Sequence, residues 1–130
     1  MTIEPVLLLG YGVARIFAAA VFLYSGVDKL WHFRACVAEV EGLGLRRSTL
    51  FAILTILTQI VGGLLVITGY AVWFGALLLA GFTVVATLLA HRFWAVSGPA
   101  MGRELTTALE HLAIVGGLLL IAIFDLVPRS

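Results

Sequence analysis

A chain of 130 residues in which 62% are apolar and only 12% charged, with mean hydropathy +1.16, cannot hide its apolar surface in one water-soluble core. Soluble domains run at roughly 45–50% apolar and about 25% charged. A net charge of +1 excludes a broad basic surface for nucleic acid, and a single cysteine, Cys36, excludes an internal disulfide or a cysteine-rich metal site. The composition points to one domain, residues 1–130, whose apolar side chains face lipid.

The first apolar run covers about residues 5–30. It carries Glu4 where a cleaved leader has a basic segment and is too long for a leader's apolar core, so it reads as a retained helix. Trp31–Ser48 follows, with Trp31, Phe33, Val37, Val40 and Leu43 interspersed with Arg34, Glu39 and Glu41. That pattern fits a short interfacial helix ended by Gly42-Leu43-Gly44, with Trp31 at headgroup level alongside Trp94 from a later connection. Cys36 in this segment reads as a small packing residue, the alternative being a mixed disulfide with a partner.

Three further runs, about 50–68, 72–90 and 105–124, approach the roughly 20 residues needed to span about 30 Å of hydrocarbon. Backbone in lipid must satisfy its own hydrogen bonds, so such runs are helices. The fold class predicted is an all-α integral membrane protein, a bundle of four transmembrane helices. Ser48 and Thr49 are placed to cap the second, and Pro99 breaks the chain before the fourth. The end, Leu126-Val127-Pro128-Arg129, matches a thrombin recognition sequence and reads as an appended tail.

The connections sort the charges. Lys29, Arg34, Arg46, Arg47, Arg92 and Arg103 fall on one side of the membrane and Arg129 alone on the other, which predicts cytoplasmic basic loops and both termini outside. Ile60-Val61-Gly62-Gly63-Leu64-Leu65 recurs as Ile114-Val115-Gly116-Gly117-Leu118-Leu119. This is either the trace of a duplicated hairpin or the use of glycine for close helix packing.

Polar side chains at membrane depth are costly and must meet a partner or a cavity. Four stand out, Arg15, Gln59, Glu110 and His111, with His91 at the end of the third run. Phe22, Gly26 and Lys29 lie within roughly 40° of the Arg15 direction, which makes that face the inward one. Glu110 lies about 8 Å inside the fourth run counted from Leu105. An Arg15–Glu110 pair would house both charges, either fixing helix register or forming a pocket for a polar headgroup or redox ligand. His91 and His111 could relay protons; without cysteine or a helical His-x-x-x-His spacing, no metal site is expected.

Several segments together resemble DoxX-type membrane proteins: Arg15 with Ser25-Gly26-Val27-Asp28-Lys29, Gln59–Leu65 ending at Gly69, Gly81-Phe82-Thr83 leading to His91-Arg92-Phe93-Trp94, and His111–Gly117. The resemblance covers about residues 10–122. Relatives often carry Lys-Asn where this chain has Glu110-His111, a reversal of charge. The resemblance implies a multi-pass protein of the bacterial inner membrane, sometimes a subunit of a thiosulfate:quinone oxidoreductase or an associate of redox enzymes. On that basis the expected function is a redox-associated subunit binding a quinone-like or other small apolar ligand within the bundle. Arg15, Gln59 and His111 would meet the ring oxygens, and Glu110 or His91 would exchange protons. An electron carrier would have to come from a partner. The alternatives are a non-enzymatic scaffold packing against copies of itself or a larger complex, and a small-solute transporter.

Overall fold

The computed structural model describes residues 3–128. Arg129 and Ser130, and with them the lone charge counted against the basic loops, lie outside the described residues. The helices are α1 (Glu4–Trp31), α2 (Phe33–Gly42), α3 (Ser48–Thr68), α4 (Val72–Ala90) and α5 (Pro99–Leu126), with a 3-10 turn at Phe93–Ala95. Among the described residues, four segments are long and apolar enough to cross a membrane: α1, α3, α4 extended through the 3-10 turn to Ala95, and α5.

α1 packs on α3, α3 on α4, and α4 on α5, while α5 returns to touch α1. The bundle is held by side chains such as Phe22, Val66, Val72, Leu79, Leu118 and Ile121. Its outer faces remain apolar, with Leu9, Phe17, Leu120 and Ile123 among the exposed side chains, as a lipid solvent allows. α2 lies against α3 and α1, burying Cys36 and Val40 on Ala52 and Ile56. Trp31 and Trp94 are exposed at the same end of the bundle, which is here called the basic end because it carries the arginine-rich connections. The Gly69–Ala71 turn marks the opposite end.

Local chemistry sets the breaks. α2 ends at Gly42 and the chain turns at Gly44, where φ is +82°. α3 ends on Gly69 at φ +85°, a left-handed conformation that glycine adopts without a Cβ penalty. Two expectations are corrected here. Ser48 is the first residue of α3 rather than its cap, and its hydroxyl donates to Glu41 Oε1 at 3.2 Å, tying α3 to the end of α2. α5 starts at Pro99, ahead of the apolar run, because proline is tolerated in a first helical turn and the polar turns with Arg103 and Glu104 precede the apolar stretch. Its far end is fixed by Asp125, whose Oδ2 accepts the backbone N–H of Trp73 at 2.9 Å and so satisfies an open donor in the first turn of α4.

Candidate functional site

A cavity of about 440 Å³ opens in the half of the bundle nearer the basic end. Its wall is mostly apolar, with Phe22 from α1, Leu54 from α3, Phe82 and Leu89 from α4, and Ile114 from α5. Polar groups enter it from every helix: Ser25 and Lys29, Cys36 and Glu39, Thr55, Thr58 and Gln59, Thr83, and His111.

One polar strand runs along the α1–α3 contact. Ser25 and Lys29, one helical turn apart, lie on the inward face of α1 that also buries Phe22 and Gly26. Lys29 Nζ donates to Ser25 Oγ at 2.5 Å, and Gln59 Nε2 donates to the same oxygen at 3.2 Å. Gln59 is only 5% exposed, and its Oε1 has no hydrogen-bond partner. Buried polar atoms are rarely left unpaired, because the lost hydration costs about 1–3 kcal/mol. Lys29 makes no ion pair among the described residues.

A second polar strand runs between α4 and α5. The Thr87 hydroxyl donates to Thr83 O at 2.6 Å and lies 2.9 Å from His111 Nδ1. A hydroxyl has one hydrogen to give, so His111 Nδ1 is the donor in that contact. His111 meets the His91 ring edge-on at 5.1 Å between centroids, and His91 Nδ1 lies 2.8 Å from Glu104 Oε2. The series Glu104, His91, His111 and Thr87 therefore leads from the partly exposed basic end to the cavity wall.

The residues proposed from sequence thus separate. Gln59 and His111 line one cavity, and His91 stands against His111 outside the lining. Arg15 and Glu110 do not pair. Arg15 Nε donates to Val66 O at 2.8 Å and Nη2 to Ile67 O at 3.2 Å, with the guanidinium over the Tyr11 ring, all at the opposite end of the bundle. Glu110 is exposed on the outer face of α5. The Thr87–His111 contact puts it near the level of the basic end of α4, ~20 Å along the bundle from Arg15 at about 1.5 Å per residue. Among the described residues no cluster of three or more His, Cys, Asp or Glu side chains could hold a metal.

Sequence reasoning missed the cavity roles of Lys29, Ser25 and Cys36 and the partners Thr87 and Glu104. The four-residue spacing of Ser25 and Lys29 on the inward face of α1 was the available signal. Cys36 belongs to the packing between α2 and α3 while its side chain borders the cavity. Burial pushes its thiol above the ordinary range, with Lys29 opposing and Glu39 reinforcing the rise. It is therefore a weak nucleophile at neutral pH.

Against known proteins, the DoxX family profile matches residues 10–92. The chain belongs to the DoxX family. Two similar proteins are both from Escherichia coli K12: Inner membrane protein YphA, 29% identical over 120 residues that cover 92% of this chain and 84% of that protein, and Inner membrane protein YqjF, 32% identical over 115 residues covering 88% and 83%. No solved structure matches. This DoxX chain is accordingly a multi-pass membrane protein. The matched residues contain the Ser25–Lys29–Gln59 strand and end just past His91, so the α5 wall with Glu104 and His111 lies outside the matched stretch.

Proposed function

We propose that this DoxX protein binds a small, mostly apolar, quinone-like molecule in the bundle cavity and works beside a redox enzyme that supplies electrons. The observation that carries the reading is Gln59 Oε1, a buried acceptor without a partner in the wall of a mostly apolar cavity. A volume of about 440 Å³ suits a ring with a short tail, since small-molecule pockets span roughly 300–1,000 Å³ and hold few, well-placed polar groups. Gln59 with Lys29 and His111 would meet the polar atoms of the ring, and the Glu104–His91 pair would exchange protons with the basic end. Arg15 and Glu110 have no part in this site. Titration of the purified protein with a decyl-substituted benzoquinone should give saturable binding that weakens about tenfold or more in Gln59→Leu and in His111→Phe. Equal affinity in both variants and the parent would remove this site.

The six basic residues at one end of the bundle support a topology with that end in the cytoplasm and both termini outside. In intact cells carrying Cys36→Ser, an impermeant maleimide should label Tyr70→Cys and spare Arg46→Cys; the opposite pattern reverses the orientation.

A second reading, a scaffold that pairs with its own copy, is favoured by the outer face of α5. There Glu110 is exposed, and a Cβ added at Gly116 or Gly117 would meet nothing within 4 Å, which leaves room for a neighbouring helix. Light scattering in detergent should then show a dimer that Gly117→Leu converts to a monomer, and a monomeric parent would dismiss it.

A further inference from the structure

We infer that the cavity selects a ligand whose polar head carries a hydroxyl, a phenol or quinol in preference to the matching quinone. The inference rests on the ligand-binding reading above and specifies which form of the ligand the site takes.

It follows from counting donors and acceptors around one oxygen. Ser25 Oγ receives both Lys29 Nζ and Gln59 Nε2. The ammonium and the carboxamide therefore flank the same small volume, which borders the cavity. Lys29 retains N–H donors beyond the one given to Ser25, whereas Gln59 Oε1 is an acceptor with no partner and no contact with solvent. A ligand carbonyl could take a hydrogen from Lys29, yet it has none to give, so Oε1 would stay unpaired after the cavity fills. A ligand carboxylate has the same defect. A hydroxyl corrects both, accepting from Lys29 Nζ while donating to Gln59 Oε1 once the carboxamide turns that oxygen toward the cavity.

The opposite wall has the same bias. Thr87 spends its hydrogen on Thr83 O, so neutral His111 holds its proton on Nδ1 and has only an acceptor left at Nε2. Glu39 on the α2 wall is exposed and so stays hydrated whichever ligand binds. Free acceptors thus occur on α3 and α5, and a site built to receive a hydroxyl discriminates against the analogue that lacks one, because the buried oxygen of Gln59 is then left unpaired.

The test compares three probes on the purified full-length chain under anaerobic conditions: a decyl-benzoquinone, its quinol, and the dimethyl ether of that quinol. The expected result is a quinol bound about tenfold or more tighter than the quinone, with the ether, which has oxygens but no hydrogens to donate, binding like the quinone. Gln59→Leu should reduce the quinol preference. Equal binding of quinol and quinone, or a quinol no better than its ether, overturns the inference while the cavity remains a ligand site. No binding of any probe overturns the ligand-binding reading itself. The comparison of quinol with ether uses the parent chain alone and so holds even where a Gln59 variant fails to fold.

Discussion

Gly75→Ala should destabilise the detergent-solubilised bundle by about 1–3 kcal/mol, whereas Gly116→Ala should leave it unchanged or more stable by up to about 1 kcal/mol. Both glycines lie inside helices, and the difference comes from what surrounds them. A Cβ on Gly75 would stand 2.8 Å from Leu65 Cβ and 3.0 Å from Gly62 O. Neither atom is the free end of a side chain, so relief requires α3 and α4 to move apart along a contact that includes buried Val66, Val72 and Leu79. A Cβ on Gly116 meets nothing within 4 Å, and alanine restores the helix propensity that glycine lacks. Unfolding midpoints of the two variants against the parent decide the matter. A Gly75→Ala protein as stable as Gly116→Ala would mean that the α3–α4 contact is looser than the packing implies.

That contrast also answers the internal repeat. Gly62 and Gly63 are buried, with any Cβ on them colliding with Leu79 and Leu23, while Gly116 and Gly117 are exposed with open space around them. The same six-residue phrase therefore serves tight packing in α3 and an outer face in α5. Nothing in the letters distinguishes the two uses, because the distinction is which direction a helix face points once its neighbours are in place.

Hydropathy and run length made the four spans legible, since backbone polar groups in lipid must be satisfied internally and apolar runs of about 20 residues do so as helices. The amphipathic pattern of Phe33, Val37 and Val40 likewise carried α2. The site was legible in part. His111 continues the inward row of Ile114, Val115, Leu118, Ile121 and Ala122 at helical spacing. Glu110, one residue earlier and so about 100° away, could not share that face. Expecting both to serve one ligand overlooked a direction that periodicity supplies. The orphaned oxygen of Gln59 could not be read at all, because it depends on Ser25 and Lys29 arriving from another helix. Nor could the partners of Arg15, since these are main-chain carbonyls that no side-chain code announces.

Arg15→Leu should cost about 2–3 kcal/mol, a typical worth of charge-assisted hydrogen bonds at a partly buried site, and Glu110→Leu little, within about 0.5 kcal/mol as for other surface changes. At the end of α3, Gly69 N–H still reaches Leu65 O, but the next two carbonyls, Val66 and Ile67, have no backbone donor from a continuing helix. The guanidinium of Arg15 takes both. It also places positive charge at the negative end of the α3 dipole. Gly69 suits the arrangement, since its φ of +85° favours glycine and a Cβ there, 2.8 Å from Arg15 Nη2, would make the guanidinium shift. α1 can deliver Arg15 to this level because its 28 residues overshoot the 21 of α3, so a residue well inside the sequence of α1 stands beside the last turn of its neighbour. Lysine should recover only part of the loss, because a single ammonium cannot match the forked contact to two successive carbonyls. A double-mutant cycle on equilibrium unfolding separates this account from a direct ion pair. With Glu110 at the other end of the bundle, the Arg15→Leu and Glu110→Leu losses should add to within about 0.5 kcal/mol. A coupling larger than about 1 kcal/mol would bring the two charges back together and displace Arg15 from the end of α3.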